Sequence, residues 1–156
     1  METDCIPFKE TNYFSSLITD YLDGAEFLND FIHYQPQLDS FQEAISNKKF
    51  SDSKREVLVE QLNEQYLSAK IKLSKSPLVE ANIKTLKESS TYTVTTGHQL
   101  CLMTGPLYFV YKIVSTIKLS QSLKEKYPKN DFVPIFWMAS EDHDFDEINH
   151  FHFKEN

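Results

Sequence analysis

Several residues that usually announce a mechanism are scarce in this sequence. Three glycines stand in 156 residues, so neither the dinucleotide pattern G-x-G-x-x-G nor a P-loop ending in Lys-Ser/Thr is present. Two cysteines, Cys5 and Cys101, lie far apart; that excludes a disulfide framework and fits reduced thiols in a cytosol. No apolar run approaches the length needed to span a bilayer. The acidic start Met1-Glu2-Thr3-Asp4 is not followed by the apolar core of a secretory signal. Positive charge is also short: 16 Lys and Arg against 23 Asp and Glu give a net charge of −7. The basic residues are scattered (Lys48, Lys49, Lys54, Arg55, Lys70, Lys72, Lys75), whereas nucleic-acid binding wants a basic stripe. A soluble, cytoplasmic protein with no membrane or nucleic-acid partner is expected.

What is present is apolar and aromatic residues in periodic order. Residues 1–90 read as a helical lead-in. Tyr13, Phe14, Leu17, Ile18, Tyr21 and Leu22 recur with a helical period and stop near Gly24. Phe27, Leu28, Phe31 and Ile32 predict a second short helix before Pro36, and Leu38, Phe41, Ala44 and Ile45 a third. Ser53 with Glu56 forms a capping box for a run carrying Val57, Leu58, Leu62 and Tyr66. Ser76-Pro77 opens another helix, with Pro in its first turn.

At residue 91 the pattern changes, and residues 91–156 read as the start of a sheet domain. Thr91-Tyr92-Thr93-Val94-Thr95-Thr96 is β-branched and aromatic, hence a strand. A loop, 97–106, leads into a helix from Leu107 to about Tyr127, with Val110, Ile113, Val114, Ile117 and Leu123 as its buried stripe. Phe132–Ala139 is nearly continuous apolar sequence, as in a strand buried on both faces, despite Pro134. Strand, helix, strand is one βαβ unit, so the strands are parallel and both following loops leave the same edge of the sheet. Open α/β proteins bind ligands at that edge. Residues 97–106 and 140–144 are therefore expected side by side. Two strands are few for a parallel sheet, so the chain reads as a truncated α/β protein, marginal when folded alone.

Two constellations occupy that edge. In the first, Gly97 is expected at a sharp turn and Gly105 just before Pro106 opens the helix. The helix N-terminus suits a phosphate or carboxylate, and His98 and Gln99 can add hydrogen bonds. Tyr108 is near enough to face the ligand; Lys112, one turn further, either reaches the edge or snorkels off an apolar face. A purely structural turn is the alternative. The second is Glu141-Asp142-His143-Asp144. It can supply a general acid or base, hold a divalent cation, or bind an amine or ribose hydroxyls. Its structural alternative is a capped helix start, with Asp142 or Asp144 as N-cap. His143, His150 and His152 lack third and fourth ligands at a zinc spacing, so no metal is expected. Cys101 reads as a small buried hydrophobe.

These motifs together resemble the bacillithiol biosynthesis cysteine-adding enzyme family. Four segments carry the resemblance: Asp20-Tyr21-Leu22; Val94–Gln99 with Thr104–Tyr108; Tyr111-Lys112; and Val133–Phe145 with Glu147–His150. His98 and Cys101 depart from residues common in the family. The resemblance implies a longer protein with a Rossmann-like core, inserted helices, a coiled-coil domain and a homodimer. It implies a ligase that joins cysteine to glucosaminyl-malate in the last step of bacillithiol synthesis, with ATP or ADP as the associated nucleotide. Carried onto this sequence, Gly97, His98, Gln99, Gly105 and Pro106 would form one pocket wall. Glu141, Asp142, His143 and Asp144 would form the other, with Asp142, His143 and Asp144 as the catalytic candidates and Tyr108 and Lys112 assisting. A nucleotide- or thiol-binding module without catalysis, or a nucleotidyltransferase of another pathway, are the alternatives.

Overall fold

A computed structural model describes residues 4–68, 76–103, 105–142 and 145–151. The chain forms two compact units, Met1–Lys49 and Phe50–Asn156. The break between units and the change of composition at residue 91 are thus different features: the helices between 52 and 85 belong to the same unit as the strands.

The first unit holds α1 (Phe8–Thr11), α2 (Ser16–Asp23), two 3-10 turns and α3 (Phe41–Asn47). Gly24, at φ 71°, ends α2, and the N–H groups at this cap reach the Asp20 and Tyr21 carbonyls. The helix expected over 27–32 is instead a 3-10 turn, Glu26–Leu28. Ala25 provides no side-chain cap there, and so short an apolar piece cannot offset the cost of nucleating a helix.

The second unit begins with α4 (Asp52–Ser68) and α5 (Pro77–Thr85). Ser76 caps α5 by accepting from the Val79 N–H at 3.3 Å, with Pro77 in the first turn. The capping box expected at Ser53 does not form. The helix starts at Asp52, which places Ser53 inside its first turn with its hydroxyl against that of Ser51 at 3.1 Å.

Strands β1 (Thr91–Gln99) and β2 (Asp131–Ala139) are parallel, in register from Thr91 with Asp131 to Gln99 with Ala139. Helix α6 (Leu107–Lys126) connects them, and α7 (Phe145–Ile148) follows. Side chains alternate across a strand, and this sorts the packing. Val133 and Ile135 join Val59, Ile83 and Leu86 of the α4–α5 layer. Phe132 and Phe136 meet Tyr127 and Phe109 on the opposite, α6 face. The sheet therefore lies between helices, as a Rossmann-like α/β domain requires.

Two expectations about burial are corrected. The stripe of α6 that is buried or half-buried runs through Phe109, Ile113, Thr116, Ser120 and Leu123, while Val110, Val114 and Ile117 are exposed. The Thr116 and Ser120 hydroxyls donate within the helix, to the Lys112 and Thr116 carbonyls, so these small residues can be buried without loss. Nor is β2 covered on both faces throughout: Trp137 and Met138 are 60% and 58% exposed. The helical layers cover the beginning of the strand and leave its carboxyl end open.

Candidate functional site at the sheet edge

β1 runs on to Gln99, so Gly97 and His98 lie in the strand, not in a turn. Gly97 does not have a positive φ. Its need for glycine comes from its neighbour: a Cβ there would stand 2.9 Å from the Trp137 carbonyl oxygen and 3.1 Å from the Trp137 Cβ. The sharp turn falls later. Met103 (φ 47°) and Gly105 (φ 60°) are left-handed, and the Gly105 N–H donates to the Leu102 carbonyl at 2.7 Å. Half-buried Cys101 fills the space above Gly105, 2.8 Å from where a Cβ would sit. Pro106 is the N-cap of α6 and not its first residue.

On the α6 face, His98 projects toward the helix start. Its ring lies edge-on to Phe109 at 5.6 Å, and its Nε2 is 2.8 Å from the Tyr108 hydroxyl. Lys112 does reach the edge: its ammonium donates to the Gly97 carbonyl at 2.8 Å and lies 5.9 Å from the Tyr108 ring centre. On the other face, the Gln99 amide donates to Asp142 Oδ2 at 3.1 Å. The Trp137 indole N–H donates to Glu141 Oε1 at 3.3 Å. The turn after β2 is closed by Ser140 N–H to Met138 O at 2.8 Å.

The end of β1 and the turn after β2 thus meet, joined by the Gln99–Asp142 hydrogen bond across 43 positions of sequence. Gly97, His98, Gln99, Tyr108, Lys112, Glu141 and Asp142 come to one rim, and Gly105 and Pro106 shape the start of α6. His143 and Asp144 lie outside the described residues, as does His152; His150 is placed against the Asn149 side chain at 2.6 Å. Trp137 was not singled out as a site residue. Its one sequence signal is that it is the chain's single tryptophan; that it pairs with Gly97 is seen only once β1 extends to Gln99.

Chemically the rim carries both signs. Lys112 and the α6 N-terminus can hold an oxyanion. The exposed Glu141 and Asp142 carboxylates can accept from an ammonium or from hydroxyls. A separate open recess, lined by Gln61, Glu64, Gln65, Leu67 and Ser68 on α4, shares no residue with this rim. Among the described residues no helix is long and apolar enough to cross a membrane.

Comparison with known proteins agrees with this architecture. The model of the family "Bacillithiol biosynthesis BshC, N-terminal Rossmann-like domain" matches residues 1–156. Relatives named "Putative cysteine ligase BshC" include one from Flavobacterium psychrophilum, 50% identical over 157 residues, covering 99% of this chain and 29% of the relative. One from Christiangramia forsetii is 52% identical over 153 residues, 97% of this chain and 28% of the relative. A more distant one from Bacillus cereus is 35% identical over 134 residues, 86% of this chain and 24% of the relative. The chain thus spans less than a third of the length of these curated relatives. It belongs to the family of BshC N-terminal Rossmann-like domains.

Proposed function

We propose that this member of the BshC family forms one rim of the substrate pocket of a ligase that joins cysteine to glucosaminyl-malate, the final step of bacillithiol biosynthesis. The observation that carries the reading is the Gln99–Asp142 hydrogen bond, which ties the carboxylate-bearing turn after β2 to the end of β1, one residue from His98. Amide formation needs one substrate carboxyl activated and one amine brought up as nucleophile. Cysteine offers both an ammonium and a carboxylate, and glucosaminyl-malate offers an amine and two carboxylates. Substrates of that kind suit a rim of mixed sign.

In this reading Lys112, His98 and the α6 N-terminus face the anionic groups, and Glu141 and Asp142 orient the amine. His143 and Asp144, which follow Asp142 in the sequence, would be the candidates for moving its proton. ATP is the proposed activating nucleotide: Lys112 and the N–H groups of the helix start are of the donor chemistry that phosphoryl oxygens need. Transfer of a phosphoryl or adenylyl group from ATP to the cysteine carboxyl, with release of ADP or pyrophosphate, would supply the phosphate or AMP that the amine then displaces. No metal is assigned. A homodimer in the cytoplasm completes the proposal.

The test uses the intact enzyme with cysteine, glucosaminyl-malate and ATP, following bacillithiol by thiol labelling. Asp142→Asn and Gln99→Ala are each expected to lower kcat/KM by about tenfold or more, the cost of one misplaced charge-assisted hydrogen bond. Unchanged rates in both variants would remove the rim from the reaction. Binding of the substrates without turnover by the parent protein would favour a recognition module instead.

A further inference from the structure

His98 makes two hydrogen bonds whose directions are not independent. Its Nδ1 lies 2.9 Å from the Gln99 carbonyl oxygen. A carbonyl only accepts, so Nδ1 carries a proton in every ionisation state of the ring. In neutral His98, Nε2 is therefore bare and accepts a hydrogen bond from the Tyr108 hydroxyl, 2.8 Å away. When the ring is protonated, Nε2–H becomes the donor. The Tyr108 oxygen must then accept, and its own O–H turns away from the ring. Tyr108 is 54% exposed, so the freed donor is open to the solvent side of the rim.

We infer that His98 and Tyr108 form a proton-coupled hydroxyl switch that offers an outward hydrogen-bond donor, beside an imidazolium charge, to an oxyanion only when His98 is protonated. The inference rests on the proposal that this rim binds anionic groups, and it assigns Tyr108 a specificity-determining role there. The ligand class is a tetrahedral oxyanion such as a phosphoryl group. The titratable group bonded to the His98 ring is Tyr108 of α6, and the charged groups bonded to its strand neighbours are Lys112 and Asp142. Lys112 is engaged with Gly97 and Asp142 with Gln99. The β2 residue in register with His98 is Met138, and the packed ring beside it is Phe109, both uncharged. Proton gain at His98 is thus the event that reverses the Tyr108 hydrogen bond.

Sulfate is the probe, because its charge does not change over the range in which imidazoles titrate. Calorimetric titration of the intact protein is expected to show sulfate binding about tenfold tighter at about pH 5.5 than at about pH 8. Tyr108→Phe should weaken binding more at the lower pH than at the higher. His98→Gln should remove the pH dependence. The switch is overturned if affinity in the parent is flat with pH, if the dependence survives in His98→Gln, or if Tyr108→Phe weakens binding equally at both values. Flat but measurable binding would leave the anion rim standing and end only the switch. No sulfate binding at either pH would end both.

Discussion

Replacing Arg55 with alanine is expected to cost the second unit about 2–4 kcal/mol. The side chain is 6% exposed, with its guanidinium beside the Phe50 ring at 5.5 Å. Nη1 donates to the Leu86 and Thr91 carbonyls at 3.1 and 3.0 Å, and Nη2 to the Ser89 carbonyl at 3.3 Å. Hydrogen bonds from a charged donor contribute roughly 1.5–3 kcal/mol each, and truncation leaves buried acceptors without partners. Against this stands the cost of a buried cation. Neither salt bridge among the described residues involves Arg55, and its Nε–H is buried without a partner. The balance still favours arginine, because Leu86 closes α5, where the negative end of the helix welcomes a cation. Arg55→Lys should recover less than half of the loss, since one ammonium cannot span carbonyls matched to a planar fork. Urea unfolding followed by Trp137 fluorescence and far-ultraviolet circular dichroism reads the change as a shifted midpoint at constant slope. A loss under about 0.5 kcal/mol, the range of an ordinary surface substitution, would refute the view that this clamp fixes the start of β1.

Two further substitutions probe the rim. Gly97→Ala should destabilise by about 1–3 kcal/mol, because the new methyl meets strand backbone at Trp137; a melting temperature equal to the parent's would show that β1 and β2 separate there at no cost. Lys112→Met should lower stability by less than about 1 kcal/mol, its hydrogen bond being exposed, while reducing sulfate affinity about tenfold. Equal sulfate affinity in parent and variant would leave Lys112 as a brace for the Gly97 carbonyl and nothing more.

The βαβ unit was legible because hydrophobic period switches from 3.6 to 2 near residue 91 and back again after Pro106. Proline and glycine punctuation at Gly24, Ser76-Pro77 and Pro106 marked element ends to within a residue. The face of α6 was legible at Ile113 and Leu123 and nowhere else along the helix. Hydropathy ranks Val110, Val114 and Ile117 above Thr116 and Ser120, and the helix carries enough apolar residues for two stripes. The choice is made by size and by local hydrogen bonding, since a hydroxyl already bonded to its own helix can be buried where a sheet approaches closely. Burial of β2 failed for a related reason. A continuous apolar run reports what a strand can bury, not how far the covering helices extend along it.

The site was legible as a neighbourhood and not as a set of contacts. Parallel strands alone require the segments after Thr96 and Ala139 to emerge together, and the Gln99–Asp142 bond is the form this takes. The pairing of His98 with Tyr108 could not follow from reading 97–99 as a loop, because a loop assigns no face to a side chain. Once β1 extends to Gln99, alternation decides: His98 turns to the α6 face beside Tyr108 and Lys112, and Gln99 turns to the face that also carries Trp137. Separation of positive and negative walls is then a consequence of strand geometry. In the proposed reading, a substrate bearing both charges would lie across the ends of β1 and β2. A longer side chain at position 97 would disturb the pairing of β1 with β2 at Trp137, and with it the strand ends on which both walls depend.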